Sequence, residues 1–250
     1  MRTDNPRHLK TSTPLIRFIL DFDGTIAPTD TVDALLERFA SPEWLSIEQE
    51  WTAGRINSQQ CMAAQIALVS ASEKELRDFF DSVATDPHFA RFIRYVKPFA
   101  DIAIVSDGLD VPIHRALARR GISLPVFANE LRFREGGLDL SFPHAAPECT
   151  VQSGVCKCSV AGLLNGSRVP FTVLIGDGRS DFCIARRAGY VFAKKRLREF
   201  CEANQIPFTP FESFSDVLSV IEAARDEAQT TMPEASCPFA TRYSAQAALL

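Results

Sequence analysis

Two aspartates, Asp21 and Asp23, lie two residues apart in a short stretch that continues with Gly24 and Thr25. A carboxylate can attack phosphorus and form an aspartyl-phosphate, which divides a slow hydrolysis into two easier displacements. A second carboxyl group nearby can protonate the leaving oxygen and later deprotonate water. Gly24 allows a sharp turn and a close approach of the backbone to a ligand. The pair therefore predicts phosphoryl chemistry, and the alternative is that both acids only cap a turn.

A second acidic pair, Asp177 and Asp181, follows later in the chain with a four-residue spacing. Clustered carboxylates repel one another and a phosphate, so they require a hard dication with oxygen ligands, and Mg²⁺ is the usual partner of phosphate chemistry. We predict a Mg²⁺ site formed by Asp21, Asp23, Asp177 and Asp181. For Asp181 the open alternative is an acid that stabilises a helix N-terminus.

Two further groups complete a predicted catalytic set with Asp21 and Asp23. The hydroxyl of Ser106 can hydrogen-bond a phosphate oxygen, and the ammonium of Lys157 can balance charge on the transferring group. Neither residue alone is a strong signal, because strand-ending serines and surface lysines are common. The predicted substrate contacts are Thr25, Asp30, Asp107 and Gly108.

The elements that must position these residues are three continuous apolar runs, at residues 15–20, 102–105 and 171–175. Continuous rather than alternating runs are typical of strands that are covered on both faces, as in a parallel sheet. Each run ends in a small polar cluster that contains the acids or Ser106. Because ligands bind at the carboxyl ends of strands in open α/β sheets, we expect these side chains to converge at one edge.

The predicted fold class is α/β, with a Rossmann-like parallel core, an inserted helical cap and a small β-hairpin. The residues between the first two strands have helical periodicity and are far too many for a simple connection. Alternation over residues 129–142 around two glycines predicts the hairpin. The predicted organisation is a flexible tail at 1–14, a core at 15–27 and 99–227, the cap at 28–98, and a weakly ordered tail at 228–250.

Charge and hydropathy exclude several classes of partner. The chain has 27 basic and 31 acidic residues, a net charge of −4, so it lacks the broad cationic field that nucleic-acid binding requires. No stretch approaches the roughly 18 apolar residues of a membrane span, and the N-terminus has no apolar signal core. We expect a cytoplasmic protein whose partner is a small phosphorylated metabolite. The oligomeric state stays open.

Seven cysteines are an odd number in a chain with ample apolar content, so a disulfide framework is not predicted. Cys149, Cys156 and Cys158, with His144 nearby, have two open interpretations. They could bind zinc, which prefers thiolate and imidazole ligands. They could instead be buried or redox-sensitive thiols beside Lys157.

The ordered set of Asp-x-Asp, Ser, Lys and Gly-Asp-x-x-x-Asp resembles the haloacid dehalogenase superfamily, specifically its phosphatases with a helical cap, over residues 15–225. The resemblance implies a Rossmann-like core, a mobile cap and Mg²⁺-dependent hydrolysis of phosphomonoesters through a phosphorylated aspartate. It also implies a role for each matching position. Asp21 would be nucleophile and metal ligand, Asp23 the acid/base and a backbone ligand, and Asp177 a metal ligand, while Asp181 supports the metal site and Ser106 and Lys157 hold the phosphoryl group.

Several segments bear on the substrate. Residues 127–129 resemble the phosphoserine phosphatase branch, which has an acid nine residues after the nucleophile, here Asp30. The positions for that branch's cap arginine hold Ala63, Ala64 and Gln65. Residues 41–44 and the cysteine-flanked lysine resemble methionine-salvage phosphatases and phosphocholine or phosphoethanolamine phosphatases. Two alternatives stay open, a non-catalytic metal-binding or regulatory protein and phosphoryl transfer to an acceptor other than water.

Overall fold

The computed structural model describes residues 16–135, 137–165 and 170–231. The predicted tail at 1–14 lies outside these residues, and so does the predicted tail at 228–250 from residue 232 onward. In the described part of the chain, seven strands form one sheet: β1 (Ile16–Leu20), β2 (Asp101–Leu109), β3 (Val126–Arg134), β4 (Gly137–Ser141), β5 (Phe171–Gly176), β6 (Tyr190–Ala193) and β7 (Thr209–Pro210). Their order across the sheet is β4-β3-β2-β1-β5-β6-β7. All neighbours run parallel except β3 and β4, which form the antiparallel hairpin.

Strand β1 lies at the centre of the sheet, between β2 and β5. Every residue of β1 is buried, including Arg17, as its largely apolar sequence predicts for a strand that is covered on both faces. Its last residue, Leu20, is aligned with Ile104 in β2 and with Ile175 in β5. The residues that follow these three strands therefore meet at one edge, and the predicted α/β fold class is confirmed.

Helices surround the sheet and fill the segment between β1 and β2. That segment contains α1 (Thr31–Phe39), α2 (Trp44–Thr52), α3 (Ser58–Ile66), α4 (Glu73–Ser82) and α5 (Phe89–Val96). The later helices are α6 (Asp110–Arg119), α7 (Lys157–Leu164), α8 (Phe182–Ala185), α9 (Lys195–Ala203) and α10 (Phe214–Thr231). Among the described residues, none of these helices has the length and apolar composition that a bilayer span requires.

Alternate side chains of β1 enter two apolar clusters on opposite faces of the sheet. Phe18 packs with residues of α5 and α10, such as Phe92 and Phe214. Ile19 belongs to the cluster on the other face, which includes residues of α7, α8 and α9. A third cluster joins α1, α3 and α4 to the core through Leu109 and Leu131. The helical insertion thus rests on β2 and the hairpin, next to the edge where the acids lie.

Two predicted helices differ in extent. The sequence from residue 180 predicts one helix that ends near Gly189, but the structure has a 3-10 turn at Arg179–Asp181 and the four-residue helix α8. The turn arises because Asp181 accepts hydrogen bonds from the backbone just before it, at Asp177 and Gly178. Helix α10 continues to Thr231, past its predicted end near Glu227.

Candidate active site

Asp21 occupies the carboxyl end of the central strand. Its backbone N–H donates to the carbonyl oxygen of Ile175 at 2.9 Å, which extends the β1–β5 pairing by one residue. Its Oδ1 accepts the N–H of Phe22 at 2.8 Å, and its Oδ2 lies 2.9 Å from Nζ of Lys157. The side chain is therefore fixed at the middle of the sheet edge, with only 4% of the residue exposed.

Lys157 is the first residue of α7 and is fully enclosed. Its Nζ donates to Oδ1 of Asp181 at 2.5 Å and lies 2.9 Å from Oδ2 of Asp21. Burial disfavours the ammonium, but the charges of Asp181 and Asp21 outweigh it and raise the pKa of Lys157. A permanent cation therefore lies between two carboxylates, where it can also balance charge on a phosphoryl group.

Asp181 orients the loop that follows β5. Its Oδ2 accepts the backbone N–H groups of Asp177 and Gly178, both at 3.1 Å, while its Oδ1 faces Lys157. Burial raises the pKa of Asp181, against the opposing charge of Lys157. A Cβ on Gly176 would lie 2.3 Å from Oδ2 of Asp181, so this loop requires glycine at that position.

Asp177 is held from two sides. Its Oδ1 accepts from the hydroxyl of Thr25 at 3.2 Å, and its Oδ2 accepts from Nζ of Lys195 at 3.0 Å. Burial, followed by the charge of Asp21, raises its pKa. Gly24 has a φ of +69°, and a Cβ there would lie 2.0 Å from Oδ2 of Asp177. Nothing in the sequence pattern had pointed to Lys195.

The carboxylates of Asp21, Asp177 and Asp181 are the one group of three potential metal ligands in the described part of the chain. One oxygen from each lies within 4.8 Å of the others, and all three residues are buried. Hard oxygen donors of this kind fit Mg²⁺. Cys149, Cys156, Cys158 and His144 do not gather into such a group, so the structure gives no support to the zinc interpretation.

Asp23 differs from Asp21 in its partners. Its Oδ1 accepts from the backbone N–H of Thr31 at 2.8 Å and from the hydroxyl of the same residue at 2.5 Å. Its Oδ2 is buried and has no hydrogen-bond partner. Burial, followed by the charge of Asp30, raises the pKa of Asp23 well above its ordinary value. Asp23 can therefore carry a proton at an oxygen that nothing else engages.

Ser106 and Gly108 lie at the end of β2, beside Asp23. The hydroxyl of Ser106 is fully buried and accepts the N–H of Gly108 at 3.1 Å. A Cβ on Gly108 would lie 1.9 Å from Oδ2 of Asp23 and 3.3 Å from Oγ of Ser106. The absence of a side chain at Gly108 thus leaves room for both polar groups.

Asp107 and Asp30 hold backbone groups as well as lining the site. Asp107 accepts from the hydroxyl of Ser58 at 2.8 Å and from the N–H of Val155 at 3.0 Å, and burial raises its pKa to about 6. Asp30 is the N-cap of α1 and uses one oxygen for two backbone N–H groups of that helix. Its other oxygen has no partner among the hydrogen bonds of the described residues, and burial raises its pKa.

A cavity of about 370 Å³ lies between the helical insertion and the sheet edge, and it contains the acids at its base. The insertion contributes an apolar wall that includes Val32, Trp51 and Met62, and an acidic wall that includes Asp33 and Glu48. From the core side, the guanidinium of Arg179 lies 5.3 Å from the centre of the Trp51 ring. This contact joins the insertion to the core at the border of the cavity.

A family model of haloacid dehalogenase-like hydrolases matches residues 18–186. The chain belongs to this family. A relative from Exiguobacterium sp. is 31% identical over 208 residues, which cover 82% of this chain and 96% of the relative. A relative from Geobacillus kaustophilus is 32% identical over 210 residues, covering 81% and 93%. Both are named 2-hydroxy-3-keto-5-methylthiopentenyl-1-phosphate phosphatase.

Solved structures show the same fold for this haloacid dehalogenase-like hydrolase. A phospho-aspartyl intermediate analogue of phosphoserine phosphatase has a TM-score of 0.65 at 19% identity and covers 84% of this chain and 99% of its own. A substrate-bound phosphoserine phosphatase has a TM-score of 0.64 at 18% identity, with the same coverage. The predicted family and the predicted enzyme class, a phosphatase, are confirmed.

Cys158 and Cys183 form a disulfide in this hydrolase, which the odd cysteine count had not predicted. The bond joins α7 to α8, next to the Lys157–Asp181 ion pair. Four other cysteines among the described residues are free and buried: Cys61, Cys149, Cys156 and Cys201. This pairing was not predictable, because the two cysteines lie 25 residues apart on different helices.

Replacing Gly108 with alanine is expected to lower activity about 100-fold, since the new Cβ would displace the acid at Asp23, and general acid catalysis contributes about that much. The rate of phosphate release measures this loss. Gly162→Ala is the matched control, because a Cβ at Gly162 meets nothing within 4 Å. Equal activity in the two variants would contradict the expected crowding.

Proposed function

We propose that the protein is a Mg²⁺-dependent phosphomonoester hydrolase that works through a phosphorylated Asp21. The observation that carries the proposal is the difference between its two neighbouring carboxyl groups. Asp21 is paired with the cation of Lys157, which suits a nucleophile that must stay ionised. Asp23 has a raised pKa and a buried oxygen without a partner, which suits a proton donor.

The reaction proceeds in two displacements. A carboxylate oxygen of Asp21 attacks phosphorus, the bond from phosphorus to the ester oxygen breaks, and Asp23 gives its proton to the departing alkoxide. Water then attacks the phosphorus of the aspartyl-phosphate while Asp23 takes up one of its protons. Phosphate leaves, and Asp21 returns as a carboxylate. Ser106 and Lys157 hold the phosphoryl oxygens throughout.

The acids at the base of the cavity would hold Mg²⁺ through Asp21, Asp177 and the backbone carbonyl of Asp23. When bound, the ion would offset the negative charge that the carboxylates and the phosphate bring together. Asp181 keeps the loop of Asp177 in place through its two backbone hydrogen bonds. Lys195 and Lys157 balance part of the same charge from the protein side.

For the substrate, we propose first a phosphorylated, methylthio-substituted keto compound of the kind named for the curated relatives. The apolar wall that includes Val32, Trp51 and Met62 fits the thioether end of such a molecule. A second candidate is a phosphorylated amine such as phosphocholine, phosphoethanolamine or phosphoserine. The acidic wall that includes Asp33 and Glu48 favours it, because a cationic group would be attracted there.

A panel of phosphorylated metabolites tests this proposal through phosphate release with Mg²⁺ or with EDTA. We expect release from one substrate class, its loss on addition of EDTA, and its return when Mg²⁺ is added in excess. Thermal unfolding in the same buffers separates metal loss from unfolding, since Mg²⁺ bound to the folded state raises the midpoint. Release that is unchanged by EDTA, with the fold intact, would contradict the metal requirement.

A further inference from the structure

Asp107 connects four separate segments of the chain. It lies in β2, its Oδ2 accepts from Ser58 at the start of α3, and its Oδ1 accepts the N–H of Val155 in the loop before α7. Its backbone carbonyl accepts from Nδ2 of Asn129 in β3 at 2.6 Å. Both carboxylate oxygens therefore hold protein groups, although the residue also lines the cavity.

On the side of the helical insertion, the hydroxyl of Ser58 is available for this contact because it takes no part in capping α3. Asn57 and Gln60 form the capping box that satisfies the N-terminus of α3. Helix α3 carries Cys61 and Met62 on the cavity wall, so the position of Ser58 sets the position of that wall. Two longer contacts also join α3 to the core: Nε2 of Gln59 donates to the carbonyl oxygen of Ser153 at 3.4 Å, and Nδ2 of Asn129 donates to Sδ of Met62 at 3.5 Å.

On the core side, Asp107 is tied to both groups that we assign to the phosphoryl oxygens. It directly follows Ser106 in β2, and the hydroxyl of Ser106 accepts from Gly108, the next residue on. Its contact at Val155 is two residues before Lys157. A displacement of Asp107 would therefore move the serine and the lysine together.

We propose that Asp107 is a positioning residue that couples the placement of α3 over the cavity to the placement of Ser106 and Lys157. The proposal rests on the proposed function. It assigns the effect of Asp107 to the two hydrogen bonds that its carboxylate accepts, and not to a contact between its charge and the substrate. Closure of the insertion and preparation of the phosphoryl site then occur as one event.

Ser58→Ala removes the contact from the side of the insertion and leaves the capping box of α3 intact. With p-nitrophenyl phosphate as the probe, we expect kcat/KM to fall about tenfold, the size expected for losing a hydrogen bond to a charged group. We also expect faster hydrogen exchange over residues 58–66. Ser72→Ala is the matched control, since this exposed N-cap of α4 touches no residue of the site. We expect it to loosen α4 alone and to leave kcat/KM unchanged.

Two substitutions at Asp107 separate geometry from charge. Asparagine can accept the N–H of Val155 with its oxygen and donate its amide hydrogen to Oγ of Ser58. Because both hydrogen bonds persist, we expect kcat/KM of Asp107→Asn to stay within about threefold of the parent value. Asp107→Ala is expected to lower kcat/KM more than Ser58→Ala does, because it also leaves the N–H of Val155 without a partner. In the Asp107→Ala background, Ser58→Ala should have no further effect.

The proposal is overturned if Ser58→Ala changes neither kcat/KM nor exchange over residues 58–66. It is equally overturned if, on amine-bearing esters, kcat/KM falls as far in Asp107→Asn as in Asp107→Ala while Ser58→Ala has no effect. That result would mean that the charge of Asp107 contacts the substrate. If Asp107→Ala fails to fold, Ser58→Ala and Asp107→Asn still distinguish a positioning role of Asp107 from a contact with the substrate. Hydrogen exchange needs no turnover, so inactivity of the parent enzyme would refute the proposed function without obscuring this test.

Discussion

Asp21→Asn is expected to abolish phosphate release, with a loss on the order of 10⁶-fold, the size found when a catalytic nucleophile is removed. The amide cannot form the phosphorylated intermediate, and hydrolysis of a phosphomonoester without an enzyme is extremely slow. The replacement is nearly isosteric and can still accept the N–H of Phe22. We therefore expect the fold to persist.

Phosphate release under saturating Mg²⁺ and circular dichroism together check this expectation. Asp139→Asn makes the same chemical change at an exposed position of β4, where the carboxylate pairs with Arg134 on the surface of the hairpin, and should keep full activity. Turnover by Asp21→Asn above the background of the assay would place the nucleophile elsewhere.

Asp23→Asn is expected to lower turnover by about 10²–10⁴-fold, because the amide can occupy the same space but cannot release a proton. The contacts of Oδ1 with Thr31 can persist in the variant, so the loss would be chemical and not structural. The loss of turnover should depend on whether the leaving group needs a proton. An ester such as p-nitrophenyl phosphate, whose leaving group needs no proton, should still phosphorylate Asp21.

Rapid-mixing kinetics provide the test for Asp23. With p-nitrophenyl phosphate, we expect a burst of nitrophenol equal to the enzyme concentration, followed by slow turnover. Turnover is slow because the variant lacks the base that activates water for hydrolysis of the phosphorylated enzyme. With an alkyl phosphate the burst should be absent. A variant that loses the same factor on both esters and accumulates no phosphoenzyme would rule out Asp23 as the acid/base.

The sheet and most of the site acids were predictable because their signals are local. Continuous apolar runs mark β1, β2 and β5, and the acids stand directly after β1 and β5. Strand β7, at Thr209–Pro210, is too short to produce any pattern. Helix α8 is shorter than predicted because the backbone at its start is held by Asp181 and not by helical bonds.

The contacts that tune the site were not predictable, because they join residues on different structural elements. Lys195 reaches Asp177 from the start of α9, and Ser58 reaches Asp107 across 49 positions. Thr31 binds Asp23 from the first turn of α1. Each of these residue types is common on protein surfaces, so only the tertiary arrangement gives them a part in the site.

The central place of β1 has a consequence for how the chain is made. On the ribosome β1 emerges before its partner β5, which follows about 150 residues later, and this interval takes about 8–30 s at cellular rates of synthesis. Until then one edge of a strand with four apolar residues out of five has no neighbour, and such an edge can pair with another chain. A nascent chain that stops before Gly176 would therefore need protection by chaperones, and it would carry Asp21 without the acids and the loop that complete the site.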